Sequence, residues 1–137
     1  MKNKNVNLKH KVPIGRTVMV KNSLLNRKSK NAYERRTHVV IDTNQDDLAL
    51  VRLTTKKDNA TKLQYYKDGK TYFKHFVEIE DVNKKPLRIS KDIQQNHKNM
   101  DLSERNVKYI IKTISTSKQK NQFNNKIKEF KSRNKKS

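Results

Sequence analysis

The sequence contains no cysteine, which excludes a disulfide framework and any chemistry based on a thiol. Only 31% of its 137 residues are hydrophobic. Polar, charged tracts cannot bury enough surface to offset their ordering entropy, so we expect a small core with solvated extensions. No apolar run follows the basic N-terminus, and no segment is long enough to span a bilayer. We therefore expect a cytoplasmic protein with no signal peptide and no membrane partner.

Acidic residues are scarce, and their scarcity is uneven along the chain. The 34 Lys and Arg residues stand against 13 Asp and Glu residues, which gives a formal net charge of +21. Residues 1–36 hold 11 basic residues and one acidic residue, residues 37–92 hold 11 and nine, and residues 93–137 hold 12 and three. An AT-rich genome also yields many Lys and Asn residues, but that bias does not account for so few acids in the two flanks. The charge favours a polyanionic partner, above all a nucleic acid, because each cation that meets a phosphate releases condensed counterions.

The apolar pattern divides the chain into three parts. Residues 1–12 form a basic segment that we expect to be mobile, residues 13–116 form the folded unit, and residues 117–137 form a basic helix and tail. In the middle part, short apolar runs predict strands at 16–20, 37–42, 47–53, 76–82 and 87–90. The run at 47–53 is nearly continuous, which indicates burial on both faces of a sheet. Asp68-Gly69 predicts the two-residue turn of a β-hairpin.

A helical pattern follows these strands. Four apolar residues share one face of a helix predicted over 101–114, namely Val107, Ile110, Ile111 and Ile114. Asp101 followed by Glu104 is typical of a capping box at its start. The same spacing recurs in a last helix, which can join the core, contact a second copy or fold on a partner, at Phe123, Ile127 and Phe130. The sequence therefore predicts an α+β protein, with a small β barrel or strongly twisted sheet, one packed helix and basic terminal extensions.

The order of these parts resembles the MazF/PemK family of toxin endoribonucleases, whose SH3-like barrel ends in a helix. The resemblance covers residues 13–116 and rests on order and spacing. It is carried by "IGRTVMV", "RTHVVI", "LVRLTT" and "FVEIEDVNKKPLRIS", the last followed by the helix "LSERNVKYIIKTI". The family shares its fold with the toxins of RNA-neutralised systems, so the resemblance implies an antitoxin that is either an acidic protein or an RNA. It also implies a homodimer.

The activity that this resemblance implies is cleavage of single-stranded RNA without a metal or another cofactor. In such enzymes an Arg at the start of one strand and a Thr at the end of another flank the scissile phosphate. The ribose 2′-hydroxyl attacks, leaving a cyclic phosphate and a 5′-hydroxyl. The matching residues are Arg36 and Thr54, with Arg35 and Thr55 as adjacent alternatives, because a one-residue slip changes the face of a strand. Thr37 stands where the family usually has Pro, so the Arg side chain can be aimed differently.

Elementary chemistry is compatible with a phosphate site at these residues. In-line attack at phosphorus builds charge on the non-bridging oxygens, and a guanidinium offers a forked set of donors for that charge. Further cations are predicted to hold the RNA backbone, namely Lys21, Arg27, Lys28, Lys30, Arg35, Arg52, Lys56 and Lys57. In the simpler interpretation, Arg36 is one more phosphate-binding cation and Thr54 caps the end of a strand.

The histidines and the aromatic residues each admit two interpretations. His38 and His75 belong to a residue type that titrates near neutrality and serves in acid–base chemistry, but a lone strand histidine is more often structural. The aromatic residues around the predicted turn either stack bases or pack across the hairpin, namely Tyr65, Tyr66, Tyr72 and Phe73. The four histidines lack metal-ligand spacing, so we predict no metal site.

Two other classes of function compete with the enzyme. A non-catalytic RNA- or DNA-binding protein on an SH3-like barrel, associated with a ribosome or a plasmid, accounts for the charge without using an Arg36–Thr54 site. A protein–protein adaptor, whose charge only keeps it in solution, accounts for it as well. Cleavage of RNA distinguishes the enzyme from both, and salt-sensitive binding to nucleic acid distinguishes the second class from the third.

Overall fold

The computed structural model describes residues 11–25, 34–64, 66 and 69–133, and it confirms the α+β class. The antiparallel sheet has six strands, β1 (Thr17–Lys21), β2 (Arg35–Asn44), β3 (Asp47–Thr54), β4 (Ala60–Lys62), β5 (Tyr72–Lys74) and β6 (Ile93–Gln95). The helices are α1 (Asn22–Leu25), α2 (Glu104–Ser115) and α3 (Lys120–Ser132), with a short 3-10 helix at Lys98–Met100. The strand order is β4-β5-β3-β2-β1-β6, so the described strands form an open sheet with β4 and β6 at its edges.

The hairpin of β2 and β3 is the centre of the sheet. Its register places His38 opposite Arg52 and Val40 opposite Leu50, and a bulge follows Val40. The turn between the strands includes Gln45, whose φ of 59° lies in the left-handed region. Short polar side chains around such a turn hydrogen-bond the local backbone, and the Asp42 carboxylate accepts from the Thr43 amide here.

The sheet is buried on both faces, as the nearly continuous apolar run of β3 predicts. Successive side chains of a strand point to opposite faces. One face, which we call the helix face, carries the larger core and includes Val39, Ile41, Ala49, Val51 and Leu53. The other face, which we call the site face, carries a smaller core that includes Val18, Val20, Val40, Leu48 and Leu50. Burial on both faces confirms the interpretation of the 47–53 run.

Both long helices pack on the helix face. Helix α2 buries Val107, Ile110 and Ile114 there, as its spacing predicts. Ile111 does not belong to this stripe, because 36% of the residue is exposed to solvent. Helix α3 buries Phe123 and Phe130, and Ile127 packs against the same core. Of the three predicted possibilities for the last helix, the structure therefore shows that it packs into the core.

The predicted capping box of α2 is wrong. The N-cap is Ser103, whose hydroxyl accepts a hydrogen bond from the Asn106 amide at 3.1 Å. Asp101 instead forms an ion pair with Arg16, with 2.6 Å between the Nε and Oδ1 atoms. The spacing of Asp101 and Glu104 matches a capping box. Ser103, however, stands directly before the first helical turn, where a side-chain oxygen reaches the amides that lack a partner within the helix.

The second half of the sheet is more irregular than the apolar runs predict. Residues 76–82 form no continuous strand; they pair only through isolated bridges, Leu50 with Glu78 and Glu80 with Pro86. Pro86 has no amide hydrogen to extend such a ladder. Residues 87–90 form no strand either, whereas β6 at Ile93–Gln95 was not predicted. A hairpin does join β4 to β5, and its pairing extends past the strands, because the Leu63 amide donates to the Thr71 carbonyl at 2.9 Å. Asp68 of the predicted Asp68-Gly69 turn lies outside the described residues.

Gly15 connects β1 to the start of α2. Its φ is +100°, and a Cβ atom added to it would lie 2.6 Å from the carbonyl oxygen of Leu102. The Gly15 amide donates to the Val40 carbonyl, and the Gly15 carbonyl accepts from the Leu102 amide, both at 2.8 Å. The chain before β1 thereby holds both the centre of the sheet and the segment that leads into α2, and only glycine fits this contact.

Candidate functional site

A cavity of about 170 Å³ opens on the site face where β1, β2 and β3 lie side by side. The residues that line it are Val20, Lys21, Asn22, Leu25, Arg36, His38, Arg52 and Glu78. Three of these residues are cations and one is an acid. The cavity therefore has a lining that is partly apolar and mainly basic in its charged groups.

Strand alternation and register bring the basic residues together. Arg36 and His38 lie on the same face of β2 as Val40, and Arg52 lies on the same face of β3 as Leu50. His38 is opposite Arg52 across one side of β2, and Val20 of β1 is opposite Arg36 across the other. Two neighbouring strands, β2 and β3, thus bring Arg36, His38 and Arg52 to one place. A rigid sheet holds such a constellation more accurately than a loop does.

The two arginines repel each other in this setting. Burial lowers the pKa of Arg52, and the positive charge of Arg36 lowers it further. The Nε atom of Arg52 is buried and has no hydrogen-bond partner in the described part of the chain. Arg36 contacts Glu34 only at 3.9 Å, and both side chains are more than a third exposed. Like charges with unsatisfied donors are stabilised by a shared anion, and a phosphate offers oxygens to both.

His38 is neutral at physiological pH. Only 4% of the residue is exposed. Burial lowers its pKa from 6.5 to about 4, and the neighbouring charge of Arg52 adds to the shift. The Nδ1 atom lies 3.1 Å from the backbone carbonyl oxygen of Arg36. In a neutral ring, Nδ1 must donate to that carbonyl, which leaves Nε2 as an acceptor.

Glu78 is a cavity residue that the sequence analysis missed. Burial raises the pKa of its carboxyl group, and the charge of Lys126 opposes that shift. Its neighbours Val77 and Ile79 are buried in the core of the helix face. The alternation V-E-I was a usable signal, because a residue between two core positions of a strand points to the opposite face.

Lys21 and Arg35, both predicted to hold RNA, contact the segment before β6. The Lys21 Nζ atom lies 3.1 Å from an oxygen of Asp92, and the Arg35 guanidinium donates to the Lys91 carbonyl at 3.0 Å. Lys21 of β1 and Arg35 of β2 face each other across the two strands, next to the pair of Val20 and Arg36. Arg35 therefore lies on the helix side of the sheet, whereas Lys21, the last residue of β1, lines the cavity.

Thr54 shares a face with Arg52 but does not line the cavity. Its hydroxyl accepts a hydrogen bond from the Lys56 amide at 3.1 Å, and the residue pairs with Tyr72 of β5. The ladder between β2 and β3 ends at the pair of His38 and Arg52. If the same register is continued, Arg36 and Thr54 come to the same rim of the hairpin. Arg36 thus shares the cavity with Arg52, whereas Thr54 lies at the edge of the site.

The remaining candidates lie farther from the cavity or outside the described residues. Thr55, Lys56 and Lys57 are exposed in the segment that follows β3. His75 pairs with the Thr61 hydroxyl at 2.7 Å, on the β4–β5 hairpin. The positions of Arg27, Lys28 and Lys30 lie in the range 26–33, outside the described residues. Among the aromatic candidates, Phe73 is buried in the core and Tyr66 packs against it, while Tyr65 is not described.

Comparison with known proteins yields no relative. The chain matches no protein-family model, no curated protein and no solved structure. Within the described residues, no group of three or more His, Asp or Glu side chains has the arrangement to hold a metal ion. No helix in the described ranges is long and apolar enough to cross a membrane.

Proposed function

We propose that this protein is a metal-independent endoribonuclease that cleaves single-stranded RNA at a phosphate bound between Arg36 and Arg52. The observation that carries the proposal is the convergence of these two guanidinium groups in one cavity on the site face. The net charge of +21 supports a polyanionic substrate. The proposal includes the MazF/PemK-like character of the chain, with the open sheet as a form of the SH3-like barrel.

The reaction needs little from the protein beyond positioning and charge. The substrate supplies its own nucleophile. The ribose 2′-hydroxyl gives up its proton to water as its oxygen bonds to phosphorus, and the bond from phosphorus to the 5′-oxygen breaks as that oxygen takes a proton from water. Negative charge grows on the non-bridging oxygens, where Arg36 and Arg52 donate hydrogen bonds. The products are a 2′,3′-cyclic phosphate and a 5′-hydroxyl. Lys56 and Lys57 hold the flanking backbone, and the Thr54 hydroxyl, which accepts from the Lys56 amide, donates its own proton from the rim.

A toxin of this kind is held inactive by an antitoxin. The excess of basic residues suits either an acidic protein or an RNA as that partner. A cavity open to solvent between strands β1 and β3 is a surface that such a partner can cover. The homodimer that the family resemblance implies belongs to the same proposal.

The test is cleavage of a long single-stranded RNA by the purified protein in EDTA, with analysis of the new ends. We expect discrete cuts with 5′-hydroxyl ends from the wild type, and their loss in Arg36→Ala and in Arg52→Ala. Lys108→Ala is a matched control, because Lys108 is an exposed cation of α2 on the other side of the sheet. Intact RNA from folded wild-type protein, or equal loss in the control, would refute the proposal.

A second candidate, a non-catalytic RNA-binding protein, is favoured by one specific observation. The His38 ring, with a pKa of about 4, is a weak base near neutrality. The same experiment separates the candidates, because a binding protein shifts the RNA in a gel without cutting it.

A further inference from the structure

We infer that His38 accepts a hydrogen bond from a ribose 2′-hydroxyl and so makes the cavity selective for RNA over DNA. The inference rests on the proposed function, since it assumes that a phosphodiester binds at Arg36 and Arg52. It concerns binding selectivity, so it can be tested whether or not the strand is cut.

The protonation state of the ring follows from its contacts. The Nδ1 atom is committed to the backbone carbonyl oxygen of Arg36, 3.1 Å away. Within residues 11–25, 34–64, 66 and 69–133, no group is hydrogen-bonded to Nε2. A neutral imidazole whose Nδ1 donates carries a lone pair on Nε2, and that lone pair requires a donor. A 2′-hydroxyl is a donor that RNA has and DNA lacks.

The position of the ring relative to the arginines fits a ribose. His38 lies directly opposite Arg52 in the ladder and two residues from Arg36 on the same face of β2. All three residues line one cavity of about 170 Å³. In RNA the 2′-hydroxyl is the sugar group next to the 3′-phosphate. A phosphate bound by the two guanidinium groups therefore brings the adjoining 2′-hydroxyl towards the imidazole.

The surrounding charges keep the ring in its acceptor form. Arg36 faces it from the same strand, Arg52 from β3 and Lys21 from the end of β1, while Glu78 lines the cavity from the segment after β5. Burial, and after it the charge of Arg52, disfavour a second proton on the ring. The preference for RNA is therefore expected to stay constant between pH 6 and pH 8. An imidazole of ordinary pKa would gain a proton as the pH falls through this range, and the preference would then weaken.

The first experiment uses the wild-type protein and changes only the ligand. A short fluorescent RNA is compared with strands that carry one 2′-fluoro group at each position in turn, and binding is measured by stopped flow before turnover. A 2′-fluoro group keeps the RNA sugar pucker but cannot donate. We expect one position at which the affinity falls about tenfold, which is the effect of losing one hydrogen bond of ordinary strength. Equal affinities for all the strands would overturn the inference.

The second experiment assigns that effect to His38. His38→Phe keeps a buried ring but removes the acceptor, whereas His38→Gln retains an amide that can accept. We expect His38→Phe to lose the about tenfold discrimination at the sensitive position and to bind DNA as the wild type does. We expect His38→Gln to restore part of the discrimination. Unchanged discrimination in a folded His38→Phe protein would assign the contact elsewhere and refute the inference.

The two proposals can fail separately. Discrimination that depends on His38 without any cleavage supports the inference and refutes the endoribonuclease. Cleavage that depends on Arg36 and Arg52, together with equal affinities across the 2′-fluoro series, supports the endoribonuclease and refutes the inference. The wild-type series decides the matter even when a His38 variant does not fold.

Discussion

At the scale of single residues, Gly15 and His38 show how strongly one position can constrain both fold and site. Gly15 lies where a backbone turn and a close carbonyl leave no room for a side chain. His38 lies where burial removes the charge of a ring that would otherwise be a cation in acid. Each yields a quantitative expectation.

Gly15→Ala is expected to lower the free energy of unfolding by about 2–4 kcal/mol, because the added Cβ meets the Leu102 carbonyl oxygen in a left-handed backbone conformation. Gly69→Ala is the control. Gly69 has a φ of +64°, but nothing lies within 4 Å of its added Cβ, so the expected loss is about 1 kcal/mol. Urea unfolding of both variants measures the difference. Equal losses of stability in the two variants would show that the Leu102 carbonyl oxygen does not exclude a side chain at position 15.

The stability of the wild type is expected to fall in acid because of His38. Between its unfolded pKa of 6.5 and its folded pKa of about 4, the unfolded state binds a proton that the folded state does not. The contribution is absent above pH 6.5 and amounts to roughly 3 kcal/mol of lost stability once the pH is below 4.

The measurement compares the wild type with His38→Gln by urea unfolding at pH 7.5 and pH 4.5. The wild type is expected to lose about 2–3 kcal/mol more than the variant over that interval. Glu78 titrates in the opposite direction, because its raised pKa favours the folded state in acid. Glu78 is present in both proteins, so its effect cancels in the comparison. Parallel pH profiles would contradict the buried neutral state of His38.

At the scale of elements, the helix α2 shows how a correct pattern can still give a wrong detail. The spacing of Val107, Ile110 and Ile114 predicts the buried face, because periodicity follows from helix geometry alone. The cap does not follow from spacing, because Asp101, Ser103 and Glu104 all carry suitable oxygens. Where the first helical turn begins decides that Ser103 is the cap, and Asp101 pairs instead with Arg16, far away in sequence.

Ser103→Ala is expected to lower the free energy of unfolding by about 1 kcal/mol, because the Asn106 amide loses its capping acceptor. Glu104→Ala is the matched change one residue later. It removes only an exposed ion pair with Lys108, so the expected loss is a few tenths, or about 0.3 kcal/mol. Thermal and urea unfolding of both variants checks the order. A larger loss of stability for Glu104→Ala than for Ser103→Ala would support the capping-box interpretation instead.

The strands show the same division between local pattern and distant contact. The β2–β3 hairpin was predictable because strong apolar runs flank a turn of polar residues. The isolated bridges at Glu78 and Glu80 and the short strand β6 were not, because these short segments depend on neighbours supplied by the rest of the sheet. Arg36 was predictable as a candidate from the family resemblance, but its nearness to Arg52 depends on the register. The alternation around Glu78 indicated which face it points to, but its place at the cavity depends on the bridge with Leu50, a distant contact.

At the scale of the whole molecule, the distribution of charge makes a prediction about salt. One phosphate, shared by Arg36 and Arg52, gives a slope of about −0.7 in a plot of log affinity against log salt for a single strand. The basic flanks add further contacts, so the full chain is expected to show a clearly steeper slope. Removing both guanidinium groups in an Arg36→Ala, Arg52→Ala double variant should make that slope shallower by about 0.7.

The measurement is a fluorescence titration of single-stranded RNA at several salt concentrations. Lys108→Ala serves as the control, because it removes one exposed charge away from the cavity. A slope near −0.7 for the wild type would mean that the flanks do not meet the RNA, and an unchanged slope in the double variant would remove both arginines from the phosphate site.

The placement of Phe123 and Phe130 has a consequence for the order of events during synthesis. The strands β1, β2 and β3, which carry Arg36 and Arg52, are made in the first half of the chain. The helix face is completed only when α3 emerges, and until then the hydrophobic side chains that it covers remain open to water. Arg36 and Arg52 are therefore synthesised well before the larger core can close.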